Sequence, residues 1–295
     1  DKLLEITDEE PEENKEEINE VQIQIRNFKY LDDLVHSGVK EIVLDSNINL
    51  GDDEDYEYKN GIKLDVDDLV INGNGYTIDA KCLVRIFNIT ANNIVIKNIT
   101  LKNGYHEDIG GAIFNGGELT IVGSILNQNT AQEEGGAIRN LGKLTIMKYM
   151  LIENIAQRNG GAIRNGGELT IVRSTLSQNT AANGGAINNL DGELTTLDST
   201  FSKNAVKSFG GAIRNGGELT IVRSTFNENT AQIDGGAINS EGKLTISDSI
   251  FSKNTAKMYN GGAIHNNYGG TMSISDSQFS ENTANTGGGV IHNIF

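Results

Sequence analysis

Apolar and polar positions alternate in short bursts along this chain and never settle into a helical rhythm. The triplet Leu119-Thr120-Ile121 returns at each repeat as far as Leu244-Thr245-Ile246, with Leu194-Thr195-Thr196 as a variant. Side chains alternate faces along a strand, so Leu and Ile point inward and Thr outward. An apolar residue follows each triplet: Leu126, Leu151, Leu176, Phe201, Phe226, Phe251 and Phe279. Three positions later comes asparagine: Asn129, Asn154, Asn179, Asn204, Asn229, Asn254 and Asn282. Gly-Gly-Ala-Ile begins at Gly110, Gly135, Gly160, Gly184, Gly210, Gly235 and Gly261, with Gly-Gly-Val-Ile at Gly288. Successive spacings are 25, 25, 24, 26, 25, 26 and 27 residues.

A period near 25 also suits a leucine-rich repeat, which carries several leucines per unit. Here the units keep a single fixed Leu, at Leu119, Leu144, Leu169, Leu194, Leu219 and Leu244, among several β-branched residues and three or more glycines, and none carries the leucine-rich spacing. Each unit therefore reads as one coil of an all-β parallel β-helix, stacked about 4.8 Å from the next, with the right-handed sense that is usual for coils of this length. The Phe or Leu column is expected to stack inside. The Asn column beside it is expected to form an amide ladder that satisfies corner backbone groups. Glycines supply the positive φ that sharp corners require.

Upstream of Gly110 the repeat blurs, but Ile42-Val43-Leu44, Leu69-Val70-Ile71, Tyr76-Thr77-Ile78, Val84–Ile89 and Ile94–Ile99 still read as strands. Residues 28–37 place Phe28, Leu31, Leu34 and Val35 on one helical face before Gly38. The expected organisation is an acidic disordered tail over 1–20, an N-terminal helical cap over 21–39, and the β-helix over 40–295. The tail holds nine carboxylates between Glu5 and Glu20. The chain stops at Phe295 inside a coil, so further repeats or another domain are expected beyond it.

Composition narrows the function. A net charge of −16 disfavours nucleic acid and anionic lipid as partners. The single cysteine, Cys82, excludes an internal disulfide framework and is expected to be a small buried residue. No apolar run approaches the roughly 20 residues of a membrane helix. No cofactor and no metal site is implied.

The Gly-Gly-Ala-Ile and Phe-x-x-Asn marks resemble those of bacterial polymorphic outer-membrane proteins. Together with Ile71-Asn-Gly-Asn-Gly-Tyr-Thr-Ile-Asp79 and Ile96-Lys-Asn-Ile-Thr-Leu-Lys-Asn-Gly104, they are closer to adhesin-like surface proteins of methanogenic archaea. The resemblance implies secretion, an extracellular cell-surface location and attachment to surface glycans or cell-surface proteins of a partner cell. Membrane contact would then come only through domains absent from this chain.

The rival is a pectate-lyase-like polysaccharide lyase or glycoside hydrolase, since β-helices also carry such enzymes. Those need a unique convergence of carboxylates. The outward column Glu118, Lys143, Glu168, Glu193, Glu218, Lys243 holds one acidic run, Glu168–Glu193–Glu218. However, residues 160–175 recur unchanged at 210–225, which gives a repeated surface and no single catalytic centre. The candidate ligand face is the outward column after Gly-Gly-Ala-Ile: Arg139, Arg164, Asn188, Arg214, Asn239, His265 and His292, following Phe114. Its planar donors and acceptors suit glycan hydroxyls and carboxylates. His36 and His106 have no partners visible in sequence. The acidic stretches 50–60 and 65–68 read as flexible loops. Asn88-Ile-Thr90 and Asn98-Ile-Thr100 fit the N-glycosylation sequon, both in strand-like stretches.

Overall fold

The computed structural model describes residues 26–294, so the acidic tail lies outside the described residues. The chain winds into a parallel β-solenoid with three ten-stranded sheets and one eight-stranded sheet. One coil shows the plan: strands Ile163–Asn165, Glu168–Val172, Thr175–Ser177 and Thr180–Ala181, one in each sheet. Each strand pairs in parallel with its copies one coil away, so Leu169 faces Leu194 and Thr170 faces Thr195. The expected alternation holds, because Leu169 and Ile171 are buried while Thr170 is half-exposed.

Columns of like residues fill the interior. Leu126, Leu151 and Leu176 run into Phe201, Phe226 and Phe251, all fully buried. The phenylalanine rings stack nearly parallel, with centroids 4.6 Å apart for Phe201–Phe226 and 4.7 Å for Phe226–Phe251. The Asn column is the expected ladder: Asn179 Nδ2 donates to Asn204 Oδ1 at 3.0 Å and to the Leu151 carbonyl at 2.9 Å. Asn204 Oδ1 also accepts from the Asn179 backbone N–H at 3.0 Å.

A second ladder of Asn115, Asn140, Asn165, Asn189 and Asn215 runs on the opposite side of the coil, donating at 2.7–2.8 Å from one coil to the next. Its signal was the Asn two positions after each Gly-Gly-Ala-Ile. A serine column does similar work. Ser199 Oγ accepts from the Ser174 N–H at 3.1 Å and donates to the Leu197 carbonyl at 2.8 Å. Tyr149 takes the serine place in one coil, fully buried with a hydroxyl that has no partner among the described residues. Burial drives its pKa well above the usual phenol value.

In the coils from Gly135 to Gly235, glycine explains only one of the three left-handed corners, whereas the coil before them also has Gly123 at a second. The first Gly of each pair has positive φ, as at Gly160 (+68°). The other two corners carry ordinary residues, such as Arg173 (+49°) and Gln178 (+57°). Such residues cost roughly 1–2 kcal/mol each in this conformation, and the Ser and Asn columns beside them hold them in place. The second Gly of each pair from Gly111 to Gly262 is required by space. A Cβ on Gly211 would run into the carbonyl oxygen of Gly236 in the next coil.

The helix α1 (Phe28–Val35) packs Phe28, Leu31 and Val35 against the first coil, next to strands Ile48–Asn49 and Ile62–Leu64. Asn27 Oδ1 accepts from the Tyr30 N–H at 3.0 Å, a standard N-cap bond. The 50–60 segment is an anchored loop, contrary to the flexible reading. The Glu54 carboxylate accepts from the N–H groups of Phe28 (3.1 Å), Lys29 (3.0 Å) and Gly51 (2.6 Å), neutralising the helix N-terminus. Tyr58 is buried against Phe28 and donates its hydroxyl to Asp32 at 3.1 Å.

Candidate functional site

The column after Gly-Gly-Ala-Ile sits on the outer side of its sheet, but it is largely not solvated surface. Arg164, Asn188, Asn239 and His265 are buried, while Arg139, Arg214 and His292 are half-buried. The reason is the corner geometry. The first Gly of each pair folds over this strand, so Gly110 lies against Arg139 Cβ. The residues just before each pair bridge in parallel from Ile109 through Glu134 and Asn159 to Asn183, forming a wall along the column.

Charges from both flanks hold the guanidinium groups. Glu134 lies 4.0 Å from Arg139 Nε and 3.5 Å from Arg164 Nε. Arg164 Nη2 also reaches Asp191 at 3.5 Å, and Arg214 Nη2 reaches Glu241 at 3.1 Å. Burial, and then the neighbouring Arg164 charge, lower the Arg139 pKa. Asn188 stands in register between Arg164 and Arg214, and among the described residues neither of its amide atoms has a hydrogen-bond partner. His265 and His292 stack with centroids 5.1 Å apart, and Asn239 Nδ2 bonds His265 Nδ1 at 2.9 Å. Burial lowers the His265 pKa, which favours the neutral ring. The column is thus a pinned polar floor, and a ligand would meet mainly Arg139, Arg214 and the flanking carboxylates.

The acidic run divides. Lys143 pairs with Glu118 at 2.9 Å and Lys243 with Glu218 at 3.3 Å. Glu168 and Glu193 remain side by side in register, exposed and without an ion-pair partner among the described residues. They border a shallow depression of about 410 Å³ that Lys143 and Asp191 also line. Among the described residues, no group of three or more His, Cys, Asp or Glu side chains could hold a metal ion.

Three smaller expectations change. Cys82 is exposed, at a positive-φ position (+60°), because it sits on a turn and not within a strand. Asn98 is an exposed corner residue between strands, whereas Asn88 lies half-buried in strand Phe87–Ile89. Both histidines thought partnerless have partners. His36 meets Asp32 at 3.1 Å and Asp65 at 3.2 Å. His106 Nδ1 accepts from the N–H groups of Asp108 (3.0 Å) and Ile109 (3.2 Å).

Sequence reasoning also missed Arg85, whose break in the strand pattern was the available signal. Its guanidinium is 4% exposed and donates to the carbonyls of Ile109 (2.6 Å), Gly110 (2.9 Å) and Asn60 (3.3 Å). Burial pushes its pKa down to about 10, so it stays charged at neutral pH. Burial, and then the Arg85 charge, push His106 down to about 4. Such a histidine stabilises the fold above its unfolded pKa of about 6.5. That stability should be lost as pH falls from about 6.5 to 4, by an amount on the order of 2–3 kcal/mol. Denaturation midpoints across that window should therefore fall less in His106→Asn than in the wild type.

These features define a parallel β-solenoid whose coils are near-copies and whose outer polar groups recur. Residues 28–137 match the family model described as a putative pectate lyase-like adhesive domain. Residues 223–241, 248–267 and 276–294 match the Chlamydia polymorphic membrane protein repeat. The matches support the repeat type and fit a surface adhesin-like β-helix protein. No curated protein and no solved structure gives a significant match.

Proposed function

We propose that this chain works in attachment at a cell surface or outer membrane, binding glycans or proteins of a partner cell without catalysing a reaction. The observation that carries this reading is the copied surface. Two-coil duplication repeats the same outward groups, and the adhesive-domain and membrane-protein-repeat matches lie at either end of the solenoid. Each coil then adds a small contact, and multivalency supplies useful strength. The likeness to surface proteins of methanogens belongs to the same reading.

The test sets attachment against turnover. Purified partner-cell envelopes should bind the immobilised chain, and Glu193→Gln should leave that binding within about twofold, as for a surface substitution. Polysaccharide cleavage that disappears in Glu193→Gln would instead establish the enzyme.

A further inference from the structure

We propose that the pocket formed by Tyr56, Leu83 and Tyr105 with Asp55, Lys59 and Glu107 is a glycan subsite that holds a single uncharged pyranose ring. The proposal deepens the attachment reading and rests on it.

The pocket is where the solenoid stops copying itself. The strand Tyr105–His106 pairs with Thr130–Ala131, and the same sheet continues through Ile155 and Thr180. A large aromatic and an imidazole therefore replace the small residues of the following coil. Residues 51–60 form a loop that the later coils do not have. The copied coils offer the same contacts again and again, and this unrepeated constellation adds one that they lack.

The pocket is also built in advance. Arg85 ties the loop carbonyl of Asn60 to the Ile109 and Gly110 carbonyls. His106 closes the turn after Tyr105 through Nδ1, and its Nε2 lies 3.3 Å from Asn60 Oδ1. Arg85 and His106 are 4% and 8% exposed; Arg85 supports the pocket from behind, and the His106 ring forms part of its wall. Glu54 and Tyr58 anchor the other end of the loop.

The lining chemistry selects the ligand. Tyr56 is 91% exposed and Leu83 54%, which leaves unpacked apolar area beside a concavity. A tyrosine face offers rigid, amphipathic contact to the C–H face of a sugar. The Lys59–Glu107 pair at 3.0 Å and the Asp55 carboxylate supply donors and acceptors at the rim. Lys59 is neutralised by Glu107 and Asp55 leaves the lining net negative, which disfavours an anionic ligand; the mixed donors and acceptors beside the tyrosine faces suit a neutral polyhydroxylated ring. The volume of about 190 Å³ lies below that of a drug-sized site and suits one ring.

Saturation-transfer NMR on the full chain, with the methyl glycosides of glucose, galactose, mannose and N-acetylglucosamine at about 10 mM each, tests this. At least one glycoside should bind, and Tyr56→Ala should weaken it by about fivefold or more; Tyr56 is too exposed to matter to folding. No transfer to any glycoside, or binding unchanged in Tyr56→Ala, overturns the subsite. So does displacement of the glycoside by tetramethylammonium, which would mark a cation cage. Envelopes that bind while no glycoside does would remove the subsite and leave the attachment reading standing. Glycosides that bind while envelopes do not would do the reverse.

Discussion

Phe226→Ala is expected to destabilise the chain by about 3–5 kcal/mol. Thr220→Ala, in the same coil, should change stability by less than about 0.5 kcal/mol. The difference follows from the strand phase. Phe226 is fully buried between two parallel rings, and the rungs above and below cannot close a gap whose height the backbone hydrogen bonds set. Thr220 is half-exposed on the outer face of Glu218–Val222. Guanidinium unfolding followed by circular dichroism would measure both variants. Similar losses would mean that the inward and outward faces are exchanged.

Asn204→Ala should cost a similar amount, about 3–5 kcal/mol, although it removes less volume. The Asn204 amide donates to the Leu176 carbonyl and to Asn229 Oδ1, and accepts from the Asn179 N–H and Asn179 Nδ2. Every one of these groups is buried, and each orphaned partner carries a desolvation penalty of about 1–3 kcal/mol. The neighbouring Lys203 corner is also in the left-handed region, at φ +54°, and loses the ladder that holds it. Hydrogen exchange should show the loss centred on the coils around residue 204, since solenoid contacts are between neighbours. A loss below about 1 kcal/mol would show that the ladder is ornamental.

The repeated part of the fold was legible because it was copied. A period near 25 aligned Leu169, Phe226 and Asn204 with their equivalents, so strand phase, aromatic stack and first amide ladder could be read from spacing alone. The second ladder at Asn165 was equally periodic but was not singled out. What failed to read was local and singular. The burial of Asn188 and His265 depends on how Gly-Gly folds over the neighbouring strand, which no residue pattern announces. Arg85, His106 and Glu54 act through contacts across 20 or more residues, and each occurs once. Periodicity cannot see a unique contact. The outward phase of the column from Arg139 to His292 is likewise legible from strand alternation, whereas the wall that covers part of it is not.

On the proposed reading, attachment is spread along the copied coils. Deleting residues 160–209 tests it directly, because residues 160–175 and 210–225 are identical and the junction keeps the register. The shortened solenoid should lose two coils, or about 10 Å of length, and keep its β-sheet circular dichroism. Envelope binding measured on the immobilised chain should then fall by a graded factor, with the remaining coils still holding. Binding that vanishes altogether, or that does not change at all, would place attachment at one site and contradict the account.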